Sequence, residues 1–457
     1  MNSRSAHMTE GSIPGHIIRF AIPVFCGQLF QQMYNVVDSL VVGNVLGKEA
    51  LAAVTSSGSL IFLLVGLFSG VFIGAGVVVS RYWGARDEEH VSQAVHTMLA
   101  FGLLAGLLLT VVGTALTPTI LRWMGTPDDV MPNSVLYFRI YFSGVMTVIL
   151  FNVTNGIFQS VGDSRHPLYF LIVSSIVNTV LDVLFVTVFR MGIAGAAIAT
   201  VIAQGVSAFL GLRFLMRATE AYRISLRKLR IHRDMLGQIL HMGIPSGVQN
   251  SIISLANIVV QTHINSFGSM AMAGCGAYAK VEGFGFLPVT SFSMALTTFI
   301  GQNLGAWLHD RVKKGARFGV LTCAGMAEIM GLIIYALIPY FITAFNNTPE
   351  VVTFGTIHAR TVTLFYCLLA FSHGMAGVFR GAGKSVVPML VMMVCWCLIR
   401  VTYVSLVVPL PPAPDTDIRW LFACYPITWA LSSITFTVYY FKADWMHAYE
   451  TKHPVQM

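Results

Sequence analysis

The chain has 457 residues, of which 55% are hydrophobic and 11% charged, with a formal net charge of +8. A soluble domain carries roughly 25% charged residues, so the composition excludes a soluble globular protein and describes a polytopic membrane protein. Its basic residues gather in a few short loops, where membrane topology accounts for them better than a nucleic-acid surface does. The longest polar stretch, Arg217 to Gln238, is too short for a core of its own.

Residues 1–15 are polar and carry no signal-peptide pattern, so the first span is expected to be retained. Windows of about 20 apolar residues, cut at polar loops, predict twelve helices. They run 16–45, 51–80, 91–116, 132–158, 165–188 and 192–216, then 236–263, 271–300, 313–343, 355–380, 385–409 and 418–441. Sixteen basic residues, from Arg81 to Lys384, fall in one set of loops. Four, Lys48, Arg122, Arg190 and Arg419, fall in the other. The bias puts the first set and both termini in the cytoplasm. All seven cysteines lie in apolar segments and read as small buried hydrophobes.

The two halves repeat. Ile22-Pro23 recurs as Ile244-Pro245, and Ala50-Leu-Ala-Ala53 as Ala271-Met-Ala-Gly274. Ser80-Arg-Tyr-Trp-Gly-Ala85 recurs as Gly301-Gln-Asn-Leu-Gly-Ala306, and Asn155 to Pro167 as Ala376 to Pro388. The offset is 222 at the first pair and 221 at the others (301−80, 388−167). A nearly constant offset across separated matches marks a duplication. Six is even, so the second half enters from the same side as the first. The expected fold is all-α and integral to the membrane: two six-helix bundles related by a pseudo-two-fold axis along the membrane normal. The expected division is 1–216, a cytoplasmic linker 217–235, and 236–457.

Polar residues inside apolar spans read as functional by default. Asp38 lies in the first span, with Tyr34 one turn before it. Asn178 and Asp182 share a face of the fifth span, and Ala196 and Thr200 a face of the sixth. At 1.5 Å per residue, Asp38 lies within ~11 Å of the outer end of its helix, Asp182 within ~9 Å and Thr200 within ~12 Å. These depths match, so the residues can meet. Two carboxylates, an amide, a hydroxyl and a carbonyl are hard oxygen donors, suited to an alkali cation or a shared proton. Asn155 falls nearer the cytoplasmic end of its helix. The second half lacks the site, since Tyr403 and Val260 stand at the positions of Asp182 and Asp38 (403−182 = 221, 260−38 = 222). It holds Lys280 and Glu282 instead. Glu282 is read either as meeting a cationic substrate or as pairing with Arg400. Gly66, Gly70 and Gly74 recur every fourth residue, a spacing that lets helices approach closely.

The chain resembles the multidrug and toxic compound extrusion family. The resemblance rests on Tyr34-Asn-Val-Val-Asp-Ser-Leu-Val-Val-Gly43, Asn178-Thr-Val-Leu-Asp182, Gly162-Asp-Ser-Arg-His-Pro167 and Gly192-Ile-Ala-Gly-Ala-Ala-Ile-Ala-Thr200, in that order and within the repeat. It implies export of organic cations and other toxic compounds in exchange for Na⁺ or H⁺. It also implies a cation or proton site on Asp38, Asn178, Asp182, Ala196 and Thr200, with Tyr34 and Asn155 at neighbouring polar positions and Na⁺ on Asp38, Asn178, Asp182 and Thr200. Glu282 is the candidate substrate contact. No enzyme activity and no cofactor beyond the coupling ion are expected: no HExxH or Walker A pattern occurs. The expected partners are small organic cations and membrane lipids, not nucleic acid, for a monomer in the plasma (inner) membrane. The alternative is a flippase for a lipid-linked substrate.

Overall fold

The computed structural model describes residues 7–46, 66, 68–123, 126, 130–410 and 416–447. All regular structure among them is helical. The first unit holds Cys26–Ile244. The second holds Met8–Phe25 and the chain from Pro245 onward. The divisions fall inside two long helices, α1 (Ile13–Leu46) and α8 (Arg233–Ser266), within a few residues of the prolines that recur in the repeat, Pro23 and Pro245.

The remaining helices of the first unit are α2 (68–84), α3 (Glu88–Trp123), α4 (Met131–Ser143), α5 (Val145–Ser160), α6 (Arg165–Asp182) and α7 (Ile193–Arg217). The expected helix 51–80 lies largely outside the described residues, as does the repeat match at Ala50–Ala53. The expected helix 132–158 is two helices, bent by 50° at Gly144. The chain packs closely on α7 at this point: a Cβ on Gly144 would sit 2.2 Å from Val201 Cγ1. A stripe at helical spacing, Phe138, Phe142, Val145, Ile149, Val153 and Ile157, is fully buried. Lipid is as apolar as leucine, so close packing rather than water exclusion holds such helices together. Gly74 shows the effect, since its missing Cβ would lie 2.4 Å from the Gly243 nitrogen of α8.

The expected linker 217–235 is ordered on the first unit. Tyr222 and Ile224 are buried. The Ser225 amide donates to His96 Nε2 at 3.0 Å, and the His232 amide to Thr97 Oγ1 at 3.1 Å. Burial, aided by the charges of Asp163 and Glu220, pushes the Tyr222 phenol up to about 12.

The second unit adds α9 (Ser269–Gly285), α10 (Leu287–Gly305), α11 (His309–Phe345), α12 (Pro349–Val362), α13 (Tyr366–Gly381), α14 (Val386–Met392), α15 (Arg400–Val407), α16 (Ile418–Phe422) and α17 (Cys424–Lys442). Broken helices pair into single spans: α9 with α10, α12 with α13, α14 with α15 through a π-helix at Met393–Ile399, and α16 with α17. Counted this way, the helices of the two units make the twelve expected spans. Nine stretches among the described residues are long and apolar enough to cross a membrane, and the bent α4–α5 pair makes a tenth.

The duplication is visible in the backbone. Arg86 (φ 58°) and Trp307 (φ 60°) are left-handed at an offset of 221, as are Gly162 (φ 84°) and Gly383 (φ 78°). The hydrogen bonds repeat with them. Asp87 N to Tyr82 O (3.0 Å) matches Leu308 N to Asn303 O (2.9 Å), and Asp163 N to Phe158 O (2.9 Å) matches Lys384 N to Phe379 O (2.8 Å). The Gly144 break also has its counterpart, a 3₁₀ turn at Thr363–Phe365.

Candidate cation or proton site

Asp182 closes α6, and the chain passes directly into a π-helix over Val183–Val188. A π turn inside a span re-aims the side chains around it. Gly192 (φ 62°) then turns the chain into α7. Gly195 lets the start of α7 approach the π segment, because a Cβ there would meet Phe185 Cβ at 3.0 Å.

Depth is fixed by an apolar cluster. Val42, Val186, Ile193, Ala196 and Ala197 pack together with Val130 and Tyr137. Val42 is one turn beyond Asp38, and Val186 one turn beyond Asp182. The two carboxylates therefore lie at one level, just inside this cluster, beside Ala196 and Thr200.

Asp182 is fully buried and Asn178 nearly so. Both carboxylate oxygens of Asp182, both amide atoms of Asn178 and Oδ1 of Asp38 lack a hydrogen-bond partner among the described residues. Such groups cost free energy unless something satisfies them. The Thr200 hydroxyl donates to the Ala196 carbonyl at 3.1 Å, which leaves its own lone pairs available. Asp38 and Asp182 lie within electrostatic reach of one another. Tyr34 lies within reach of the side chains of Gln31 and Gln204 and feels both carboxylates. No Lys, Arg or His forms an ion pair with either carboxylate among the described residues. The result is a buried cluster made mostly of oxygen acceptors, chemistry that fits a proton or an alkali ion.

Asn155 is placed elsewhere. Its neighbour Thr154 lies against Gly211 of α7, its Oγ1 2.9 Å from where a Cβ on Gly211 would stand. Gly211 is eleven residues beyond Thr200, about 16 Å along a helix. Two residues join the site that sequence reasoning missed. Gln204 is one turn after Thr200, and its Oε1 is buried without a partner. Tyr137 of α4 is buried within electrostatic reach of Asp38, Asp182 and Tyr34. The i, i+4 spacing from Thr200 could have found Gln204. Tyr137 comes from α4, and no spacing in the sequence ties it to Asp38 or Asp182.

In the second unit, Glu282 Oε1 accepts from the Tyr278 hydroxyl at 3.5 Å, and Tyr278 meets Tyr366, hydroxyl to hydroxyl, at 2.7 Å. Arg400 is buried, and its guanidinium donates to Thr428 Oγ1 (2.9 Å) and Asn257 Oδ1 (3.4 Å). It sits over the Tyr425 and Trp396 rings at 4.7 and 5.2 Å. Glu282 is within electrostatic reach of Arg400, but no ion pair joins them. Lys280 is exposed.

The MatE family profile matches residues 23–184 and again 245–404. A curated relative named as a probable multidrug resistance protein, YoeA of Bacillus subtilis, is 30% identical over 379 residues and covers 81% of each chain. A second from the same organism, YpnP, is 27% identical over 400 residues, 87% of this chain and 89% of its own. Among solved structures, a MOP superfamily transporter from Pyrococcus furiosus superimposes with a TM-score of 0.89 at 22% identity, covering 96% of this chain and 97% of its own. A multidrug resistance MATE family transporter in an outward-facing conformation gives 0.88, also at 22%, with 96% and 97% covered.

Proposed function

This chain belongs to the MatE family of multidrug efflux transporters, the multidrug and toxic compound extrusion family, and on that premise we propose that it is an antiporter exporting lipophilic organic cations in exchange for H⁺ or Na⁺. The observation that carries the reading is the set of unpartnered buried acceptors on Asp182, Asn178 and Asp38. The coupling ion loads there and satisfies the orphaned oxygens, with Thr200, the Ala196 carbonyl and Gln204 as further donors. The gain on loading shifts the transporter between conformations, because a ligand moves an equilibrium only by its differential affinity. Glu282 is the acidic group in the second unit that would attract a cationic substrate. The bias of basic loops supports an orientation with both termini in the cytoplasm, and the reading takes the plasma (inner) membrane as its location.

Ethidium efflux from loaded cells, under separately imposed Na⁺ and H⁺ gradients, tests the reading. Wild type should accelerate efflux under one gradient, and Asp38→Asn should lose that acceleration. Full gradient-driven efflux by Asp38→Asn sinks the assignment.

A further inference from the structure

The two repeats differ in polar character at three matched positions, and in formal charge at one of them. Gln159, Asn152 and Phe72 of the first half become Arg380, His373 and Ser293 in the second, each at an offset of 221 (380−159, 373−152, 293−72). The fold brings the three new residues together. The Arg380 Nη2 donates to Ser293 Oγ at 2.9 Å, and Ser293 Oγ donates to the His373 carbonyl at 2.8 Å. Arg380 and His373 are seven residues apart on one face of α13, close enough for the ring to feel the guanidinium. The ring of His373 lies 5.0 Å from Phe286 and 5.3 Å from Trp396, edge-on to both.

The cluster lacks its counter-charge. Arg380 Nε and His373 Nε2 are buried without a hydrogen-bond partner, and no carboxylate forms an ion pair with Arg380 among the described residues. A buried guanidinium is costly unless it is paired. One serine hydroxyl supplies a single neutral acceptor. The guanidinium fork matches the two oxygens of a carboxylate or phosphate. Phe286, half-buried, offers aromatic surface beside it.

We propose that Arg380, His373 and Ser293 form an anion subsite in the second unit, which takes the carboxylate or phosphate of an amphipathic organic anion whose apolar body rests against Phe286. This goes beyond the cation-export reading and does not depend on it. The anion can come from a transported organic acid or zwitterion, or from a lipid headgroup.

The test is equilibrium binding to the purified full-length protein, with no gradient imposed. The probe is 1-naphthoate, competed with inorganic phosphate and, separately, with phosphatidylglycerol and phosphatidylcholine vesicles. Wild type should bind naphthoate saturably. Arg380→Gln, which installs the residue found at the matched position of the first half, should weaken binding about tenfold or more, the loss of a charge-assisted hydrogen bond. Arg380→Lys should fall between, and His373→Asn should weaken binding in the same direction if Arg380→Gln does not fold. Competition by phosphate alone assigns the site to small solutes. Competition by phosphatidylglycerol but not phosphatidylcholine assigns it to a headgroup. No naphthoate binding by wild type overturns the proposal. So does unchanged affinity in variants whose only defect is lower thermal stability, because the cluster is then structural.

Discussion

Replacing Asp182 by Asn separates a loading site from a structural carboxylate. The side chain keeps its shape and loses its charge, in a position with no exposure and no hydrogen-bond partner for either oxygen. A structural Asp holding a partner in place would cost about 3–5 kcal/mol to neutralise, because the partner is left buried and unpaired. Here no partner is present among the described residues. An uncompensated carboxylate costs roughly 2.5–3.5 kcal/mol in a membrane span, and an unpaired amide costs ~1–3 kcal/mol. The ion-free variant should therefore be as stable as wild type, or more stable by about 1 kcal/mol. Wild type should respond to the ion: at a hundred times Kd, binding adds about 2.7 kcal/mol. Extrapolating the size trend to a chain this long gives roughly 1–2 °C per kcal/mol, hence a rise of roughly 3–5 °C. The assay is thermal unfolding of purified protein while Na⁺ is added, or while protons are added by lowering the pH. Asp182→Asn should lose the ion-dependent rise and keep its basal Tm. A retained rise, or a basal loss of several degrees in ion-free buffer, refutes the reasoning.

Other outcomes follow from particular contacts. Gly74→Ala and Gly243→Ala should each destabilise by about 1–3 kcal/mol, the usual cost of overpacking, because the new Cβ atoms would stand 2.4 Å from Gly243 N and Val71 Cα; lower Tm and yield check it. Arg311 donates to the Met8 carbonyl at 3.0 Å and the Gly11 carbonyl at 2.9 Å, so Arg311→Ala should speed amide exchange over residues 8–11 while exchange in α10 stays slow. Tyr366→Phe removes the 2.7 Å partner of Tyr278 and should cost about 1 kcal/mol, a typical hydrogen bond, read as a small drop in Tm. Gln204→Leu should weaken ion-induced stabilisation by less than Asp182→Asn does, since Gln204 contributes one neutral acceptor.

The twelve spans and the duplication were legible because the membrane imposes both. Apolar length defines a helix, and a repeated loop must repeat its hydrogen bonds, as the left-handed Arg86 and Trp307 do. Asp38, Asn178, Asp182 and Thr200 stood out because polar atoms in apolar spans are costly and because helical rise converts position into depth. The breaks were not legible. At the α4–α5 bend Gly144 leaves no room for a side chain against Val201, a contact 57 residues away in sequence (201−144). The π-helix after Asp182 leaves no pattern in its residues, which read as an ordinary apolar run. Tyr137 reaches the carboxylates from α4, a helix whose approach to α6 and α7 depends on contacts distant in sequence. Arg380 counted toward topology on sequence grounds, and its orphaned nitrogen shows only when Ser293 and His373 are seen beside it.

The most direct measurement of the antiport reading is made in proteoliposomes with no imposed ion gradient. An outward ethidium gradient should drive ion movement the opposite way, read as proton uptake by an internal pH dye or as entry of radioactive sodium. The account predicts that wild type moves one of these ions only while ethidium leaves, and that Asp182→Asn moves neither above the protein-free leak. Ethidium leaving through wild type with no counter-movement of either ion, or coupled ion entry preserved in Asp182→Asn, would contradict it.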